Sequence, residues 1–424
     1  MSGAPEKPAS ILAPFAVRSF RFQWPADLAT SWSFEMETLI LGWFILVATD
    51  SVLLLTLFAA LQYGGTLVAP LFGVAGDRAG ARSVLCSMRA FYMVQATMLT
   101  GFIYFDALGP VQVFVIGALM GIVRPSDIAI RYSLVGETIP SKRLMGAMGV
   151  SRTTTDSARV AGALAGASLV ASMGMVWAYA AVTTLYTISL LLTFGTARRP
   201  QDETSGLVSG GISTARASPL RDVADAFAYV WRTPHLLAGM TLALLVNLCA
   251  YPLMSGVLPY VAREVYGTGQ AGLGYLAASF AFGALVGSVG LSANRRVIRP
   301  GRMMIVFTLG WFAMLQVFAW VDVMAVGIVV LMIAGLCQSV GMVPLSVMLM
   351  QSSDPRMRAR VLGLRMLAIY GLPMGLLASG PIIEAFGFGA TATGYGMFGM
   401  IATALIAWRW HAQIWRLDGV ANGG

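Results

Sequence analysis

Residues 73–85 read GVAGDRAGARSVL, a short hydrophilic turn holding one acid, Asp77, and two arginines, Arg78 and Arg82, between two long apolar runs. Gly80 permits the tight reversal, and a turn of this kind is what a chain needs where it leaves a hydrocarbon layer and re-enters it. Outward from this turn the pattern repeats. Of the 424 residues, 57% are hydrophobic and 11% are charged, and the mean hydropathy is +0.75, a balance foreign to a water-soluble chain of this length. A helix needs roughly 20 residues to cross the hydrocarbon core. Runs of that length predict twelve spans, at 26–49, 52–74, 83–105, 110–133, 145–171, 175–196, 235–261, 271–292, 302–321, 324–350, 360–384 and 390–411. The first thirty residues hold no short apolar core with a small-residue cleavage site, so the first span is expected to direct insertion itself.

The net charge of +9 would suggest a nucleic-acid partner in a soluble protein, but the distribution of the basic residues answers differently. Arg18 and Arg21, Arg78 and Arg82, Lys142 and Arg143, Arg198 and Arg199, Arg295 and Arg296, Arg356 and Arg358, and Arg409 all fall on one side of the alternating spans, and only Arg263 falls in a loop on the other. By the positive-inside rule that side is cytoplasmic, both termini lie there, and the charge is a topology signal with no nucleic acid implied. Cys86, Cys249 and Cys337 lie in or beside apolar spans without CxxC spacing, which predicts neither disulfide nor metal site. The 25 methionines are scattered and read as packing residues. No phosphate-binding loop, metal-ligand spacing or nucleophile elbow is present, so an enzyme is not expected.

A Gly, Ser and Thr-rich stretch divides six spans from six. The expected organisation is a cytoplasmic N-terminus (1–25), an N-terminal six-helix bundle (26–196), a cytoplasmic linker (197–234), a C-terminal six-helix bundle (235–411) and a cytoplasmic tail (412–424). Within the linker, LRDVADAFAYVW sets Leu220, Val223, Ala224, Phe227 and Trp231 on one helical stripe, an amphipathic helix expected on the cytoplasmic surface. The halves repeat one another: GVAGDR (73–78) follows span 2 and GLSANR (290–295) follows span 8, while ETIPSKR and SSDPRMR follow spans 4 and 10.

With these repeats in place, GVAGDRAGARSVL resembles the G-x-L-A-D-R-x-G-R-[RK]-x-x-L loop of the major facilitator superfamily. Gly73, Asp77, Arg78, Gly80, Arg82 and Leu85 match, and Ala75, Gly76 and Ala81 depart. The stretch 228–267, RARVLG (358–363) and ARVAGALAG (158–166) resemble the drug and siderophore exporters of that superfamily, the subgroup of the enterobactin exporter and the macrolide efflux pumps. Ala163 stands where that subgroup's A-R-x-x-G-P-A-x-x-G has proline. The resemblance implies an all-α membrane protein of twelve transmembrane helices in two pseudo-symmetric six-helix bundles. It also implies that Asp77 docks at the start of span 11, near Arg358 or Arg360, as a latch that closes the cytoplasmic side, completed by Arg78 and Arg82.

A charge at a span centre costs roughly 2.5–3.5 kcal/mol on insertion scales and needs a partner or a wet cavity. Span 1 carries Glu35 and Glu37; span 4 carries Arg124, Asp127 and Arg131 on one stripe; span 5 carries Arg152, Asp156 and Arg159 on another. Arg131 and Arg152 are expected near the cytoplasmic surface and Arg124 and Arg159 deeper. Arginine keeps its proton, so with four acids, Glu35, Glu37, Asp127 and Asp156, against two deep cations, neutrality requires some acids to be protonated in some state, the physical basis of proton coupling. Residues two apart on a helix are separated by about 200°. Glu35, on the face of Ser31 and Thr38, is expected to face a cavity and titrate; Glu37, on the face of Ser33, is expected to point to a helix neighbour and meet Arg124 or Arg159. The second half offers an uncharged wall, with Asn247, Tyr251 and Gln338 as cavity candidates.

The expected function is secondary active transport by alternating access, with an amphiphilic small molecule exported against protons, no cofactor beyond a proton gradient, and one chain in a lipid bilayer as the working unit. Proton-coupled uptake remains open, as does a non-transporting receptor, assembly factor or lipid-handling protein. The expected location is the plasma (inner) membrane.

Overall fold

The computed structural model describes residues 13–197, 219–293, 300–354 and 357–420, and among these the regular elements are helices with no strand. They run in order α1 (Arg18–Thr49), α2 (Val52–Leu61), α3 (Ala69–Ala79), α4 (Ala81–Tyr104), α5 (Pro110–Thr138), α6 (Ser141–Met173), α7 (Met175–Phe194), α8 (Pro219–Arg232), α9 (Pro234–Cys249), α10 (Tyr251–Met254), α11 (Leu258–Tyr260), α12 (Gln270–Ala293), α13 (Pro300–Phe318), α14 (Met324–Gln351), α15 (Arg358–Leu367), α16 (Gly371–Arg409) and α17 (His411–Val420). Helices satisfy every backbone donor internally, which a hydrocarbon solvent demands. Among the described residues, seven helices are long and apolar enough on those grounds alone to cross a membrane. α4 and α6 are long enough but less apolar, α4 carrying Arg82 and Arg89 and α6 Asp156 and Arg159.

Four predicted spans are not single, separate helices. Span 2 is interrupted between α2 and α3, where the backbone of Gly65 touches α5 so closely that a Cβ there would stand 2.0 Å from the Ile122 carbonyl oxygen. Span 7 is divided into α9, α10, α11 and a π-helical turn over Val261–Val265, because Pro252 and Pro259 remove amide donors in mid-span. Span 11 starts as α15, passes a 3-10 turn over Ala368–Tyr370 and continues into α16, where it joins span 12, with the chain turning at Gly387, whose φ of 79° lies in the left-handed region that glycine alone adopts freely.

Packing groups the described residues into two compact units. The first takes residues up to Leu41 and from Gln62 to the linker; the second takes Gly42–Leu61 together with the described residues from Pro219 onward. The outer part of the first helical hairpin therefore packs with the second half of the chain, a grouping the six-and-six division of the sequence does not contain. In the first unit α4 lies along α7 and α5, burying Leu85, Tyr92, Leu99, Val113, Tyr179 and Tyr186. In the second, α14 packs on α12 and α13. Gly283 and Gly335 bring the α12 and α14 backbones together, with virtual Cβ atoms 1.8 Å from the Met332 and 2.0 Å from the Phe280 carbonyl oxygens.

The linker helix α8 exists, and its packed face differs from the predicted stripe. Ala226 and Val230 are buried while Phe227 and Trp231 are exposed and stacked on each other, 5.8 Å between ring centroids. Leu220, Val223 and Ala224 lie outside the side chains described. α8 is fastened to the second unit by an Arg360–Asp225 ion pair at 4.0 Å and by the Asp354 amide donating to the Tyr229 hydroxyl at 3.1 Å.

Candidate functional site

Glu35 and Glu37 stand on opposite sides of α1, as their spacing requires. Glu37 is buried and turns toward α7, where its carboxylate accepts hydrogen bonds from the hydroxyls of Tyr186 at 2.9 Å and Tyr179 at 3.4 Å. Ser33, on the same face, donates toward the Val182 carbonyl of α7. Glu35 is half-buried and lies between two guanidinium groups, 3.8 Å from Arg124 and 3.9 Å from Arg159. The arginines thus hold Glu35 and not Glu37, correcting the sequence-based assignment. The helix neighbour that Glu37 meets is a pair of phenols, which offer hydrogen bonds from helix α7 where a cation was expected.

The contacts of Glu35 are loose: both distances are within ion-pair reach and too long for hydrogen bonds. Arg124 is positioned by other groups. Its Nη1 donates to Thr38 Oγ1 at 2.7 Å and to Gln62 Oε1 at 3.0 Å, and the guanidinium carbon stands 4.7 Å from the centroid of the Phe34 ring. Arg159 is half-exposed and arrives from α6, which reaches α1 through two glycines of the ARVAGALAG stretch. A Cβ at Gly162 would stand 2.8 Å from Glu35 Cβ, and one at Gly166 would stand 2.9 Å from Met36 Cα. Lower on the same pair of helices, Trp24 Nε1 donates to Thr154 Oγ1 at 2.7 Å. These contacts are what set Arg159 beside Glu35.

Asp127 and Arg131 do not join this cluster. They form, with Asp27 of α1 and Arg89 of α4, a second buried network: Arg89 pairs with Asp27 and bonds Thr193, Arg131 pairs with Asp127 and lies 3.7 Å from Asp27. Arg131 also donates to Ser31 Oγ at 2.8 Å and to the Asp27 carbonyl at 3.2 Å. Arg131 is buried among these partners. The set holds two acids and two cations, so it balances its own charge. Sequence reasoning missed Asp27, at the start of the first predicted span, and Arg89. The available signal was Arg89 itself, a cation inside span 3 with no acid on its own helix. A small cavity opens beside the network, lined by Asp27, Ser31, Arg131, Ser151 and Thr154.

Asp156 is half-buried on α6. In the second unit Gln338 Nε2 donates to the Tyr251 hydroxyl at 2.7 Å, tying α14 to the break in span 7, and Tyr251 meets Trp311 edge-on with centroids 4.9 Å apart. Asn247 instead donates to the Ala243 carbonyl of its own helix, at 2.8 Å. Of the predicted cytoplasmic gate, Gly80 has a φ of 81° and Arg78 is exposed. Arg82 donates to the Phe194 carbonyl at the end of α7, 2.7 Å away, and Arg360 pairs with Asp225 of α8. Gly73 falls within α3, and the side chains of Asp77, Arg152 and Arg358 lie outside the described residues.

A chain of apolar helices that encloses partnered ionisable groups, one of them half open to solvent, defines a multi-pass membrane carrier. The profile of the Major Facilitator Superfamily matches residues 9–378, and the chain belongs to that family. It is similar to the enterobactin exporter EntS of Escherichia coli O1:K1, 24% identical over 317 residues, covering 73% of this chain and 70% of that one. The same exporter of Citrobacter koseri is 25% identical over 318 residues with the same coverage. Among solved structures, a mutant form of the nucleoside transporter NupG superposes with a TM-score of 0.70 at 12% identity, covering 91% of this chain and 99% of that one. A D-xylose-proton symporter superposes with a TM-score of 0.68 at 13% identity, over 92% and 97%. Twelve transmembrane helices in the major facilitator arrangement follow, and the protein is a transporter, not an enzyme.

Proposed function

We propose that the chain exports an amphiphilic, drug- or siderophore-like small molecule by proton antiport, from a bacterial inner membrane with both termini in the cytoplasm. Glu35, half-buried at ion-pair distance from both Arg124 and Arg159, is the observation that carries this reading. A carboxylate that exchanges a guanidinium partner for water changes its affinity for H+, and a substrate that competes for the same arginines makes the two events exclusive. Antiport needs that exclusivity. Arg124 keeps its position through Thr38 and Gln62 while Glu35 is protonated, so the substrate's polar group finds a prepared cation. Glu37, enclosed by Tyr179 and Tyr186, holds α1 to α7 and is a structural acid. The exporter relatives support outward flux, and the arginine distribution supports the orientation.

The test is reconstitution in vesicles of known orientation with a pH-sensitive dye, using lipophilic cations in one panel and catechol or carboxylate amphiphiles in another. Substrate addition is expected to release protons to the side from which the substrate is taken. Proton uptake together with substrate would establish symport and overturn the antiport reading.

A further inference from the structure

The loop of span 7 carries the single arginine that stands apart from the positive-side pattern, Arg263. Its place in the second unit accounts for it. The α1 helix ends at Thr49, and Asp50 follows with a φ of 51°, its amide donating back to the Leu46 carbonyl at 2.9 Å. This is a helix ending through the left-handed region, which aspartate and asparagine tolerate better than most side chains. Arg263 lies 2.8 Å from the Asp50 carboxylate and donates to the same Leu46 carbonyl at 3.1 Å. One guanidinium thus meets an acid and the last turn of a helix, the negative end of its dipole. Glu264, 3.3 Å away, leans on it from the adjoining position. The π-helical turn over Val261–Val265 is the irregularity that carries Arg263, and such turns concentrate at functional sites.

The rest of the Gly42–Leu61 hairpin fits the second unit through small residues. A Cβ at Gly42 would meet Pro259 at 3.6 Å, one at Gly256 would stand 3.1 Å from Ala59, and one at Gly380 would stand 2.3 Å from Thr56 Oγ1. These are close, weakly directional packing contacts. The directional contact among them is the ion pair, at the rim, with the Asp50 carboxylate well exposed to water. We propose that Asp50 and Arg263 are a gating pair that fastens the first hairpin to the second unit on the face opposite the chain termini, and that its opening admits solvent to the transport path from that side. An exposed pair is worth enough to bias an equilibrium and little enough to release within a transport cycle. The inference does not depend on the transported compound, its direction or the coupling ion.

Thr56 reports the state of the gate, because its side chain is buried against α16 while the hairpin is docked. With Cys86, Cys249 and Cys337 replaced by alanine, Thr56→Cys is labelled by a membrane-impermeant maleimide in protein reconstituted in vesicles. Asp50→Asn and Arg263→Gln are each expected to raise the labelling rate about two- to fivefold, and the double variant to raise it no further than the larger single. In the charged parent, 1 M salt is expected to raise it in the same direction. Unchanged labelling in either single variant overturns the proposal, and so does a double variant that shows the product of the two single effects. Because labelling needs no substrate, this outcome is independent of the export reading.

Discussion

Glu35 and Glu37 share a helix and a sequence neighbourhood, and differ in what surrounds them. Phenols enclose Glu37, so Tyr186→Phe leaves a buried acceptor short of a donor and is expected to cost about 1–3 kcal/mol, read as a lower melting temperature in detergent. The Asp27–Arg89 pair gives a larger effect: Arg89→Met strands buried acids and is expected to cost about 3–5 kcal/mol, with Asp27→Asn in the same chain recovering part of the loss. Equal melting of the single and double variants would show that the pair is not coupled. The opposite orientation of the two glutamates was legible from helix geometry alone. Their partners were not, because which arginine reaches which acid depends on how α6 and α7 approach α1, and a periodicity carries no information on that approach.

Between helices, the decisive groups are those with no side chain. Gly162 brings α6 against α1 at the level of Glu35, so Gly162→Ala forces a methyl to within 2.8 Å of Glu35 Cβ. The expected result is about 1–3 kcal/mol of destabilisation and a marked loss of transport, since Arg159 is displaced from Glu35. Gly149, where a Cβ would meet open space, is the control, and Gly149→Ala is expected to leave transport intact. The twelve apolar runs were readable because lipid imposes one rule on all of them. The breaks in span 7 and at Gly65 were signalled by prolines and paired glycines, but proline also occurs inside the continuous α5 and α14, so its presence alone does not settle a break. The amphipathic pattern of α8 was legible, with Phe227 and Trp231 of the stripe left exposed, whereas the burial of Ala226 and Val230 depends on α15 and α9, which lie against the helix and which a periodicity does not locate.

For the molecule as a whole, the fold lay open in the sequence through composition, the repeated turns and the GVAGDRAGARSVL loop, and membership of the superfamily agrees with all three. Orientation rests on the arginines. Asp106→Cys, in the turn after α4, is expected to react with impermeant maleimide added outside intact cells, and Ala79→Cys, at the exposed end of α3, only after permeabilisation. The reverse pattern would invert the topology and with it the sense of transport. The grouping of Gly42–Leu61 with the second half was invisible to any division by span number, because it is a property of packing. The measurement that bears most directly on the proposed mechanism is substrate-driven proton movement in vesicles holding the parent, Glu35→Gln or Glu37→Gln. The parent and Glu37→Gln are expected to move protons with substrate, and Glu35→Gln to bind or carry substrate without them; undiminished proton movement in Glu35→Gln would contradict the account.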